Sequence, residues 1–171
     1  MIKVEVRESN ISGKGVFARG PISISDVILR MDDSRVVTPE NPINPDLGEE
    51  SKHCDYLPDG TTVLMPPPEC YINHSCSPNV YVFSVGSDRY VLPVRDIEKD
   101  EEITYDYSIN ALDGDVWACT CGSSNCRGEH KCDFFHLPRE IQIAYLPYID
   151  PSFLEYHKER FSLLLNSKGS L

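Results

Sequence analysis

No stretch of this 171-residue chain stays apolar over the ~20 residues that a membrane-spanning helix needs. A membrane protein is not expected. The opening residues, Met1-Ile2-Lys3-Val4-Glu5-Val6-Arg7, alternate apolar and charged side chains. They read as a strand and contain no apolar core of signal-peptide type. The expectation is an intracellular protein, in cytoplasm or nucleus. Positive charge is scarce too. Sixteen Lys and Arg stand against 27 Asp and Glu, a formal net charge of −11. Nucleic-acid binders normally carry a basic face, so no direct nucleic-acid binding is expected. A cationic partner, such as a Lys/Arg-rich peptide, fits better. Seven cysteines cannot all pair, and without a secretion signal they read as thiols or metal ligands rather than disulfides. Ser12-Gly13-Lys14-Gly15 lacks the third glycine and following helix of a dinucleotide fingerprint, and it is not a P-loop. No internal repeat is present.

What is present is 40% hydrophobic residues, enough at this length for one domain with its own core. Many short β-prone runs are separated by turn residues, which indicates a mostly β domain. The Gly13–Gly15 pair reads as a hairpin turn that also allows close backbone approach. Residues 22–29 read as a strand region with Ser25-Asp26 as a turn or bulge, and the proline-rich 38–52 as a surface loop. Strands are expected at 53–57 and 61–65 around Asp59-Gly60, and at 80–85 and 89–94 around Gly86-Ser87-Asp88. Another is expected at 103–107, with Tyr105 and Tyr107 on one face. Beyond 137 the pattern becomes helical. Pro147 ends a first helix. Asp150-Pro151 starts a second, with a stripe of Leu154, His157, Phe161, Leu164 and Leu165 and a stop at Gly169. The boundaries are placed at 1–116, 117–136 and 137–171.

Two stretches carry chemistry. Tyr71-Ile72-Asn73-His74-Ser75-Cys76-Ser77-Pro78-Asn79 is polar and turn-forming, yet sits between apolar runs. Asn, His, Ser and Cys bring donors, acceptors, a titratable ring and a metal-capable thiol together. Cys119-x-Cys121-x4-Cys126 places three soft ligands within eight residues. Structural zinc takes a closed tetrahedron of such ligands, so a fourth must come from Cys132, His130 or Cys76.

In order and spacing, Gly13-Lys14-Gly15, the 71–79 stretch, Glu101-Glu102-Ile103-Thr104-Tyr105-Asp106-Tyr107 and the 119–128 knuckle resemble a SET-domain protein lysine methyltransferase with its post-SET zinc segment. The likeness covers residues 3–30 and 70–128. It is loose in 31–69 and silent after about 132. It implies a mostly β fold: a SET-domain β-clip with a pseudoknot, a zinc-binding post-SET segment and C-terminal helices. It also implies S-adenosylmethionine as methyl donor, held by Ser12, Gly13, Lys14, Gly15, Tyr71, Asn73, His74 and Tyr107. Zn2+ would be shared by Cys76, Cys119, Cys121 and Cys126. Tyr107 takes the catalytic tyrosine position. Tyr105 takes the position that sets how many methyl groups are added, which implies mono- or dimethylation of a lysine in a histone tail or other basic protein. The competing reading is a catalytically silent, zinc-stapled peptide-binding module. The chain departs from the family at Cys70, where arginine is usual, and at Pro66-Pro67-Pro68. It leaves open whether His53 or Tyr56 is the aromatic flanking the cofactor.

Overall fold

The computed structural model describes residues 3–112 and 114–166. Met1, Ile2 and Gly169, assigned above to the first strand and to the last helix stop, lie outside the described residues. Among the described residues, twelve short strands form four small sheets. β1 (Val4–Glu8) and β2 (Lys14–Ala18) make an antiparallel hairpin, with Val4 opposite Ala18 and Glu8 opposite Lys14. The two glycines of that turn do different jobs. Gly13 sits at φ +46°, in the left-handed region. At Gly15 a Cβ would collide with the Glu102 carboxylate and the Ser9 side chain.

The next strands are β3 (Leu29–Arg30), β4 (Val36–Val37), β5 (Cys54–Tyr56), β6 (Thr62–Leu64) and β7 (Asn73–His74). They are followed by β8 (Val80–Val85), β9 (Asp88–Pro93), β10 (Glu102–Tyr105), β11 (Val116–Ala118) and β12 (Glu129–Lys131). The hairpins around Asp59-Gly60 and Gly86-Ser87 form where the turn residues place them. Over 22–29 the turn expected at Ser25-Asp26 forms, and the flanking strand does not. Only Ile22 bridges, to Ile97, and regular pairing starts at Leu29. The cause is local: the Asp26 carboxylate accepts the Ser23 N–H at 2.9 Å and closes a turn in place of a ladder.

The main sheet runs β1-β2-β10-β7. β7 pairs with β10 in parallel, Asn73 opposite Thr104 and His74 opposite Tyr105. The 71–79 stretch is thereby threaded beside 102–105. Asn79, 2% exposed, locks the crossing. Its amide donates to Glu102 O at 2.8 Å and its Oδ1 accepts from Thr104 N at 2.8 Å.

Two apolar clusters support this frame. Val4, Val16, Ile22, Val80, Val91 and Ile103 belong to the first; Ile109, Phe134, Leu137, Ile149, Phe153 and Phe161 form the second. The second belongs to the C-terminal part, α1 (Arg139–Tyr145), α2 (Pro151–Tyr156) and α3 (Lys158–Asn166). Asp150 caps α2 by accepting Ser152 N at 2.8 Å. The single helical stripe expected after Asp150 is corrected. The helix breaks at His157 (φ −113°, ψ 23°), which rotates the face. Phe153 and Phe161 are buried, while Leu154 and Leu165 are 41% and 48% exposed.

The 31–69 region is pinned to the frame by Arg89, which donates to Asp33 at 2.6 and 2.8 Å and to Asp55 at 2.6 Å. Beside this clamp Glu69, 6% exposed, accepts the Asp32 N–H at 3.1 Å. Burial, with Asp33 and Asp32 nearby, pushes its carboxyl up to about 7. The folded state therefore holds a proton that the unfolded chain releases at its ordinary value of 4.5, and stability falls as pH rises through that window. Glutamine keeps an acceptor and cannot ionise. Glu69→Gln should be more stable than the parent at pH 8 by about 1–2 kcal/mol and equal to it at pH 4.5. Urea unfolding at the two pH values measures this; a constant difference between the proteins across the range would refute it.

Candidate active site and metal centre

The parallel β7–β10 pair brings the two chemical stretches of the sequence together. Asn73 reaches across to the β1–β2 turn. Its amide donates to Lys14 O at 3.0 Å and Ser12 O at 3.3 Å, and lies 2.8 Å from Glu102 Oε1. Ser12, Gly13, Lys14 and Gly15 thus share one wall with Asn73. The Lys14 ammonium sits 5.2 Å over the Tyr71 ring, which meets His53 edge-on at 5.5 Å. Tyr56 is 70% exposed, so of the two candidate aromatics it is His53 that packs here.

His74 is buried and makes two contacts that define it. Its Nδ1 accepts the Tyr107 N–H at 3.2 Å, and its Nε2 lies 3.4 Å from Cys76 Sγ. Burial lowers its pKa to about 4, so the ring is neutral near pH 7. A neutral ring that accepts at Nδ1 carries its proton on Nε2. That proton points at the thiol.

Tyr107 lies past the end of β10. The strand expected to reach 107 stops at Tyr105, because Asp106 turns the chain: its O accepts Ile109 N at 2.9 Å and its carboxylate accepts Ser108 N at 3.0 Å. The Tyr107 hydroxyl donates to Ile72 O at 2.7 Å, and burial raises its pKa above the ordinary value. The Tyr105 ring is 6.4 Å from that of Tyr107, and its hydroxyl donates to Ile109 O at 2.6 Å. Both groups are phenols, not phenolates, near pH 7.

Cys76 follows His74 by two residues and meets the knuckle. Its Sγ is 3.7 Å from Cys119 Sγ, and its N–H points at Cys121 Sγ at 3.5 Å. The donor atoms of His74, Cys76, Cys119 and Cys121 all lie within 4.8 Å of one another. Cys126 is alongside, with its Sγ 3.7 Å from Cys119 O and accepting from Gly128 N at 3.4 Å. Burial pushes the Cys76 thiol up to about 12. At Cys121 burial is outweighed by the Cys76 N–H and by the Ser123 hydroxyl and N–H, and the thiol falls to about 6. Cys132 stands apart from these thiols, its Sγ 3.2 Å from His130 Nε2.

His130, weighed from the sequence as a fourth metal ligand, lies elsewhere, and Trp117, Arg127 and Tyr145 were not singled out. Trp117 and His130, paired across β11–β12, close over Tyr107 and His74. Ring centroids are 4.7 Å apart for Trp117–His130, 4.1 Å for His74–His130 and 5.6 Å for Tyr107–His130. His130 is fully buried and its Nδ1 has no hydrogen-bond partner among the described residues. Arg127, within the knuckle, donates to both oxygens of buried Asp106 at 2.8 and 3.0 Å, and Tyr145 of α1 donates to the same carboxylate at 2.9 Å. Arg127 had a signal in its place between two knuckle residues. Tyr145 had none beyond its helix.

Comparison with known proteins bears on the family and the fold. Histone-lysine N-methyltransferase ATX2 of Arabidopsis thaliana is 31% identical over 140 residues, 71% of this chain and 12% of that protein. An Emericella nidulans histone-lysine N-methyltransferase described as H3 lysine-4 specific is 45% identical over 64 residues, 34% of this chain and 5% of that protein. The chain therefore spans only a small part of the length of these relatives. The solved structure of KRYPTONITE in complex with mCHG DNA and SAH superposes with a TM-score of 0.56, at 23% identity, over 74% of this chain and 28% of that one. It supports the fold alone. The family model of the SET domain matches residues 13–108, over half of the sequence, and the chain belongs to the SET domain family.

Proposed function

We propose that this chain is a protein-lysine N-methyltransferase that uses S-adenosylmethionine and adds mainly one or two methyl groups to a lysine of a histone or other basic protein. The observation that carries the reading is that neighbouring residues of β7 contact both of the other stretches, Asn73 the Ser12 and Lys14 carbonyls and His74 the Tyr107 N–H. The relatives named as histone-lysine methyltransferases support it, and the net charge of −11 suits a basic peptide.

A lysine ammonium near pKa ~10.4 cannot attack a methyl carbon. It must first lose its proton, which desolvation beside a second cation favours. S-adenosylmethionine supplies, when bound, an electrophilic methyl on a sulfonium that leaves as a neutral thioether. The protein's part is alignment and a preorganised field. Tyr107 is suited to that part. Its proton is committed to Ile72 O, so its oxygen presents lone pairs; its raised pKa argues against a phenolate base. The partnerless Nδ1 of His130 and the rings of Trp117 and Tyr107 offer a buried polar atom and flat faces that fit an aromatic ligand group. Tyr105, with its hydroxyl fixed on Ile109 O and its ring 6.4 Å from that of Tyr107, leaves limited room for a methylated amine to turn.

The thiol-rich donor set fits Zn2+. We assign Cys76, Cys119, Cys121 and Cys126 as its ligands and not His74, whose Nε2 proton faces Cys76 and blocks coordination. His74 instead donates to a ligand sulfur, the kind of support that orients metal ligands.

Two experiments test this reading. With labelled S-adenosylmethionine, recombinant histone H3 and a cell extract, the parent protein should transfer label, and Tyr107→Phe should lose on the order of 10²-fold in rate while still binding the cofactor. Cofactor binding without transfer by the parent would favour the silent binding module. Cys76→Ser should lower both zinc content, read by metal analysis, and cofactor affinity, read by calorimetry, because one turn carries both. A full complement of zinc in Cys76→Ser would overturn the shared-ligand assignment.

A further inference from the structure

Tyr105 packs against both apolar clusters, and its hydroxyl is held from the second. The phenol has one proton and two lone pairs. The proton goes to Ile109 O at 2.6 Å. Beside it, Asn110 Nδ2 donates towards the Tyr105 oxygen at 3.4 Å and towards Val82 O at 3.5 Å. The other end of the same amide, Oδ1, accepts the N–H of Asp150 at 2.8 Å. Asp150 is the cap of α2, and Ile149 before it is buried in the second cluster. Asn110 sits at φ +60°, a conformation that asparagine tolerates better than most residues. One side chain therefore links the tyrosine, the β8 backbone and the start of a helix forty residues further on.

We infer that Asn110 is a positioning residue for Tyr105, and that through Asp150 the C-terminal helices help set how many methyl groups the enzyme adds. The inference rests on the role given to Tyr105 under the proposed function. Its logic is steric and directional. With its proton spent on Ile109 O, the Tyr105 oxygen faces the substrate amine as an acceptor only. Asn110 holds the turn that carries Ile109 O, so the phenol cannot draw back. Loss of the Asn110 amide frees that turn, and the space beside the amine grows. A methylated amine can then reorient for a further transfer.

Asn110→Gly is the variant of choice, since glycine keeps the positive φ and removes all three side-chain hydrogen bonds. Mass spectrometry of methylated histone H3 should show the ratio of higher to lower methyl states rise at least threefold, as for Tyr105→Phe. In the Tyr105→Phe background, Asn110→Gly should add nothing, because its effect passes through the hydroxyl. A parent that methylates while Asn110→Gly leaves the ratio unchanged would overturn the inference, as would an equal rise in the Tyr105→Phe background. A second readout needs no turnover. In protein labelled with 13Cζ-tyrosine, the Tyr105 signal should shift and its hydroxyl proton should exchange faster in Asn110→Gly. An unchanged signal and exchange rate would defeat the positioning role even if the parent proves inactive, which would count against the proposed function instead. Should Asn110→Gly fail to fold, Asn110→Asp keeps the acceptor for Asp150 and lacks the amide donor. It should change the Tyr105 signal too, and no change there overturns the inference.

Discussion

The buried carboxylate of Asp106 is the point on which the site depends. It is fully inaccessible, yet it receives both arms of Arg127, the Tyr145 hydroxyl and the Ser108 N–H, and His74 Nδ1 lies 3.6 Å away. Burial alone would raise its pKa; the Arg127 guanidinium outweighs that and holds it below the usual value. A buried pair of this kind is poor evidence of net stability, since desolvation offsets most of the Coulomb gain. Its value is register. Three parts of the chain far apart in sequence, the end of β10, the knuckle and α1, each supply a group to one carboxylate. None can slide without leaving a buried charge short of a partner, at a cost of about 3–5 kcal/mol.

His74 carries that register into the chemistry. It is held neutral by burial and oriented by the Tyr107 N–H, so its remaining proton can face only Cys76. One ring thus couples the backbone of the proposed catalytic tyrosine to the proposed metal ligand. The arrangement explains why Asn, His, Ser and Cys stand so close in sequence. Alternation along β7 sends Asn73 towards the β1–β2 turn and leaves His74 for the other side. The turn after it delivers Cys76 to the knuckle.

Much of this was legible from residues, and the failures have local causes. Glycine and Asp-Gly turns gave the hairpins their places, because left-handed positions admit few residues. The cysteine spacing marked the knuckle. Residues 22–29 were apolar enough for a strand, but the Asp26 side chain offered the backbone a closer partner. The C-terminal stripe fitted one helix on paper, and the break at His157 turned Phe153 inward in place of Leu154. The parallel β7–β10 pairing was not legible from pattern at all. Two-residue strands carry no period, and the threading entered only through the family resemblance. Pattern marked His130 only as a metal-ligand candidate, not as the ring that packs on His74, and it could not find Trp117 or Asn110, whose roles come from cross-strand pairing and from contacts up to forty residues away.

The knuckle has little besides its thiols to hold it in place, which is the physical case for the proposed metal as a structural element. All three residues of β11 are exposed, and of β12 only His130 is fully buried. So little apolar surface cannot offset the entropy of ordering some fifteen residues, at roughly 1–2 kcal/mol for each backbone position. What remains is polar: the Arg127–Asp106 pair, the packing of His130 on His74, and four thiols drawn together by no disulfide. The first two hold the knuckle only at one end. Under the proposed zinc assignment, closing the other with a tetrahedral ion would convert binding energy directly into folding energy. It would do so at Cys76, two residues from His74 in the same turn, and would tie order in the knuckle to order in the proposed site.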